Sequence, residues 1–164
     1  MLEFILVILV GALPAFFLWS AIHELSHYFA VKLMRKTTGG IFKIYPHFEG
    51  KSFVFASVQT AYAGETLSNK EIAVQFLAPR ALDLLAVVLV PLAGLFVAPW
   101  LQALWLVVWG AGIIDLAVGS TGATAVSDLQ RASHALGWSP WVLRILGWTF
   151  VIIAATITVL VFAL

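Results

Sequence analysis

The sequence predicts an all-α membrane protein, a bundle of four transmembrane helices with a short membrane-associated β-hairpin between the first and second. Three observations carry this. Of the 164 residues, 62% are hydrophobic and only 10% charged, against about a quarter charged in a soluble domain. The apolar residues fall into four runs long enough to cross a hydrocarbon core. Between the first two runs the texture changes to aromatic and β-branched residues that partly alternate with polar ones. The length suits a single domain over 1–164. A formal net charge of +1 gives no case for nucleic-acid binding. The lack of cysteine excludes disulfides and thiolate metal ligands and leaves the redox compartment open.

The first span is expected over 4–34. Residues 4–22 are apolar and would make a helix of about 28 Å. Glu3 stands where a signal peptide carries a basic residue, and no clear cleavage site precedes the polar motif, so the segment reads as a mature span. No breaker follows Pro14 until TTGG at 37–40, which carries the helix through AIHELSHYFAV. IFKIYPHF and SFVFASVQTAY, separated by EGK, predict a hairpin over 41–62 at the membrane surface. The second span is expected over 72–98, with Pro79, Arg80 and Asp83 near its start. Pro99 marks a tight turn, and the third span runs over 100–118 with Asp115 near its end. GSTGATAVSD is a small-residue break, and the fourth span covers 141–164, with Pro140 in its first turn and Trp138 and Trp141 as interfacial anchors.

With four spans, all nine lysines and arginines fall on or near one side. The positive-inside rule makes that side cytoplasmic and puts both termini outside. No internal repeat is evident, which weakens an inverted-repeat transporter reading.

HELSH fits the HExxH template of zinc metalloproteases. His23 and His27 are spaced i,i+4, so on a helix both imidazoles project from one face and can share one ion. Glu24 stands beside them, where a general base takes a proton from zinc-bound water. The competing account is a His–Glu cluster satisfied by neighbouring helices, but polar groups at membrane depth are costly without a function. A catalytic zinc needs a third protein ligand. Asp115 and Asp128 are best placed, and spacing does not choose between them; His47 and His134 are remoter candidates. Arg80 and Asp83, at i,i+3, read as an ion pair with Arg80 snorkelling to the headgroups, or else as a donor to substrate or oxyanion.

These features together resemble the site-2 protease family of intramembrane zinc metalloproteases. HELSHYFAV late in the first span, TTGGIFKIYP after it, and an aspartate following the third span on the same side carry the resemblance. The tail VSDLQRASHALGWSPWVLRILGW and FLAPRALDLL look most like the smaller bacterial, M50B-like branch. The resemblance implies that His23, His27 and an aspartate bind one zinc per chain, with Glu24 as the base and Asp128 favoured as third ligand. Family members usually carry Asp-Gly, whereas Leu129 follows here, which keeps Asp115 in contention.

The expected function is therefore hydrolysis of a peptide bond in a membrane-embedded protein substrate near the cytoplasmic face, in a multi-pass protein of the bacterial cell membrane. The alternatives are a catalytically inactive metal-binding scaffold and a metal or proton transporter. Glu24 argues against the scaffold, since binding alone does not need it. The apolar outer half argues against the transporter.

Overall fold

The computed structural model describes residues 2–50, 52–64, 66–94, 96, 99–121 and 127–163. Its elements in chain order are α1 (Leu2–Leu33), β1 (Thr37–Lys43), β2 (His47–Glu49), β3 (Ser52–Val54), β4 (Ser57–Tyr62), α2 (Asn69–Gly94), α3 (Pro99–Thr121), α4 (Asp128–Leu136) and α5 (Pro140–Ala163). Two stretches, Asn69–Leu89 and Pro140–Leu160, are long and apolar enough to cross a membrane, and Trp105–Thr121 is a shorter apolar helix.

Local chemistry sets the helix ends. α1 runs through Pro14 and the whole HELSH motif. It closes at Arg35, φ 58, where Lys36 N bonds Val31 O at 3.1 Å and Arg35 N bonds Lys32 O at 2.9 Å. That is the paired closure usually given to glycine, here borne by arginine in the left-handed region. α2 begins three residues before the expected 72 because SNKE is a capping box: Ser68 N donates to Glu71 Oε2 at 2.8 Å, and Glu71 N donates to Ser68 Oγ at 3.4 Å. Pro99, read as a turn, is the first residue of α3, where its missing N–H costs nothing.

The expected small-residue break at 119–128 is shorter than predicted. Gly119 to Thr121 continue α3, Asp128 opens α4, and 122–126 lie outside the described residues. Ser127 caps α4, accepting from Gln130 N. Gly137, φ 67, ends it with the same paired closure.

The predicted hairpin over 41–62 is a longer ribbon in two parts. β1 pairs antiparallel with β4, from Thr37↔Tyr62 to Lys43↔Ser57 with a bulge between Thr37 and Gly39. β2 and β3 pair beyond it, with Gly50, φ 61, in the turn and Lys51 outside the described residues. The ribbon folds back beside α1. Phe55 meets Phe16 edge-on at 5.3 Å, and Phe42 meets Tyr28 at 4.8 Å. Phe16 lies roughly 25 Å back from the end of α1, so the ribbon runs alongside the helix and not beyond its end. Of the two glycines in TTGG, Gly40 permits the approach: a Cβ there would stand 3.1 Å from the Tyr28 ring and 3.2 Å from Gln59 O.

α3 packs against α1, α2 and α5 through small residues. Gly112 accommodates the Trp19 ring, and Gly147 of α5 lies directly over Ser120. α4 tucks Leu129 and Ala132 into a cluster with Leu143, against Phe76 and Leu77 of α2. That docking brings the N-terminus of α4 to the inner face of α1.

Candidate metal centre and adjoining cleft

The i,i+4 spacing on α1 stacks the His23 and His27 rings with centroids 5.2 Å apart. Each is held at Nδ1 by a different partner. The His23 Nδ1 lies 2.8 Å from Asp115 Oδ2, and the His27 Nδ1 donates to the Gln75 backbone carbonyl at 2.8 Å. An acceptor at Nδ1 fixes that nitrogen as the donor and leaves Nε2 as the ligand atom. Both Nε2 atoms converge on one carboxylate: His23 lies 3.0 Å from Asp128 Oδ2, and His27 lies 3.5 Å from Asp128 Oδ1.

The donor set fits a zinc ion. The ligand atoms of His23, His27 and Asp128 lie within 4.8 Å of one another. Two ligands about 2.0–2.1 Å from a tetrahedral ion stand roughly 3.3 Å apart, and the separations of 3.0 and 3.5 Å bracket that value. Nitrogen and carboxylate oxygen are ligands zinc takes in catalytic sites. Asp128 stands in the first turn of α4, where the free backbone N–H groups favour the carboxylate anion that ligation requires.

Glu24 is not a member of this group and faces a cleft of about 420 Å³. The cleft is lined on one side by Glu24, His27 and Asp128, and on the other by β4 residues including Ser57, Val58 and Gln59. Among the described residues β4 is paired on one side only, with β1. Ser57 to Thr60 line the cleft in succession opposite Glu24, so β4 runs along the site. Arg131 also lines the cleft and stacks on Phe76 at 5.0 Å.

The other sequence candidates fall elsewhere. His47 sits in β2 with Nδ1 donating to Tyr45 O at 2.7 Å and Nε2 facing Glu49 and Ser57 at 3.3 and 3.2 Å. His134 is exposed in the last turn of α4. Neither joins a metal-binding group among the described residues. Arg80 does form the i,i+3 pair with Asp83, at 2.7 Å. It does not snorkel: it is 8% exposed and turned inward. It is also absent from the lining of the Glu24 cleft. Sequence reading missed the Gln75 carbonyl, because a main-chain partner leaves no trace in residue identity. The indole of Trp19, which donates to Asp83 at 2.9 Å, had a signal in its position one turn before His23.

Compared with protein-family models, curated proteins and solved structures, the chain matches none.

Proposed function

We propose that the chain is an intramembrane zinc metalloendopeptidase. The observation that carries this is the convergence of His23, His27 and Asp128 on one point, with Glu24 beside them under an unpaired strand edge. His23, His27 and Asp128 would hold the metal, which when bound supplies Lewis acidity and brings the pKa of a water to about 7.

The chain's own residues do the rest. Glu24 is the general base: it takes a proton in the cleft and returns it to the leaving amine. Asp115 and the Gln75 carbonyl fix the two imidazoles in orientation and tautomer. A membrane-spanning substrate hides its amides in i→i−4 hydrogen bonds and must unwind before a carbonyl is accessible. The free edge of β4 offers the unwound segment replacement main-chain partners, by β-augmentation directly across from Glu24.

In this reading α1, α2, α3 and α5 cross the bilayer. The cations flank the end that carries the site, which favours a cytoplasmic active site with both termini outside, as in a multi-pass protein of a bacterial cell membrane. The substrate is a transmembrane or membrane-associated protein. The test is cleavage of a single-span substrate by the purified protein in lipid vesicles. Activity should disappear with a chelator and return with zinc; cleavage indifferent to chelation would sink the proposal.

A further inference from the structure

Arg80 ties together three carboxylates from three helices. Its Nη1 donates to Asp83 Oδ2 at 2.7 Å and to the Asp115 backbone oxygen at 3.0 Å, and it lies 3.4 Å from Asp115 Oδ2. Its Nη2 donates to Asp128 Oδ2 at 3.3 Å. The seat is built from both sides. The second oxygen of Asp83 accepts from the Trp19 indole at 2.9 Å, so donors hold both oxygens, as an ionised carboxylate needs. Across the guanidinium, Gly119 presents no side chain; a Cβ there would stand 2.6 Å from Arg80 Cζ. The Arg80 Nε is buried with no hydrogen-bond partner among the described residues. The head group is thus oriented by the aspartates and not by satisfaction of all its own donors.

His23, Asp83 and Asp115 also lie close enough to hold a cation, and the charge of Arg80 already serves that group. We infer that Arg80 is a positioning residue of the metal centre, a fixed internal cation that aims Asp115 at one imidazole and Asp128 at both. This rests on the metal-centre reading above. The charges agree with it: a dication and one guanidinium together offset the three aspartates, neither does so alone, and one negative charge remains, that of Glu24 in the cleft. Arg80 lies outside the cleft lining, so it acts through Asp115 and Asp128 and not on substrate.

The rival account makes an opposite prediction. A cation that merely sits near a metal site repels the ion, and its removal tightens binding. Zinc affinity of the purified full chain, measured by chelator competition, separates the two, together with the electronic spectrum of the cobalt(II)-substituted protein. Arg80→Gln is expected to bind zinc about 10–100-fold more weakly. Arg80→Lys should recover part of that, since it keeps the charge but not the fork. Gly119→Ala displaces the guanidinium without deleting it, and should weaken zinc binding and shift the cobalt bands in the same direction as Arg80→Gln. Zinc held by Arg80→Gln as tightly as by wild type, or more tightly, overturns the inference. Should Arg80→Gln fail to fold, Gly119→Ala decides, and an unchanged affinity and spectrum there overturns it. Wild type that binds zinc but cleaves nothing counts against the peptidase reading alone, leaving the Arg80 comparison decisive; wild type that binds no zinc overturns both.

Discussion

Asp115 holds His23 by Nδ1 at 2.8 Å, and the opposite nitrogen of the same ring faces Asp128 at 3.0 Å. One imidazole thus separates two aspartates into different roles. Asp128 stands where both ligand nitrogens converge; Asp115 stands behind one of them.

That division predicts unequal losses. Asp128→Ala should lose zinc and activity together. Asp115→Asn should keep a metal centre weakened by about 10–100-fold, the usual cost of removing a partner that orients a ligand. Metal content and chelator competition on the two variants check this, and the opposite ranking would exchange their roles.

The histidines themselves should be indispensable to metal binding. His23 and His27 supply two of the three convergent ligand atoms, so the double alanine variant should hold no stoichiometric zinc by elemental analysis. Full retention in that variant would remove the basis of the site.

Glu24→Gln should leave zinc in place and slow turnover by about 10²–10⁴-fold, since it keeps size and hydrogen bonding while deleting the base. The measurement is initial cleavage rate at matched zinc content. A near-normal rate would discard the proposed mechanism.

Much of this site was legible in the chain because its chemistry is local. HELSH states its own geometry once it lies on a helix, and polar residues at membrane depth call for an explanation. Spacing left Asp115 and Asp128 both open as the third candidate, and only the resemblance favoured Asp128. The approach of Asp128 depends on the docking of α4 against α2 through Leu129, Ala132 and Phe76, a long-range packing event that spacing does not encode. The ribbon was half visible: aromatic, alternating strands announced β structure, but its place alongside α1 depends on the Phe16–Phe55 and Tyr28–Phe42 contacts. The Arg80–Asp83 pair was legible from its i,i+3 spacing, but the direction of the side chain was not, because an arginine in an apolar span ordinarily snorkels. Asp83 and two aspartates from distant parts of the chain, Asp115 and Asp128, hold it inside instead.

The two glycines of TTGG should differ in tolerance. A Cβ on Gly39 meets nothing within 4 Å, whereas one on Gly40 stands 3.1 Å from the Tyr28 ring and 3.2 Å from the backbone oxygen of Gln59. Neither is among the positive-φ glycines, so space and not backbone conformation decides. Gly39→Ala should be near neutral, and Gly40→Val should cost about 1–3 kcal/mol by overpacking. Thermal unfolding in detergent checks the contrast, and equal tolerance would show that the ribbon does not depend on its contact with Tyr28.

Topology is open to a direct test because the cations are so unevenly distributed. Lys32, Arg35 and Lys36 follow the HELSH motif; Lys43 lies in the ribbon, Lys51 falls between β2 and β3 in sequence, Lys70 is in the first turn of α2, and Arg131 and Arg144 flank the α4–α5 junction. In the four-span reading these all lie toward one face, and the opposite face carries none. Bias of this kind orients a chain with its basic side in the cytoplasm. The chain has no cysteine, so single cysteines can be introduced without background. At Ser52 and Ser139 they should resist an impermeant thiol reagent in intact cells and react after lysis, while one at Glu3 should react in both. Labelling of Ser52 and Ser139 positions in intact cells, with Glu3 protected, would invert the protein and put Glu24 on the outer side. The substrate would then have to present its unwound segment from outside the cell.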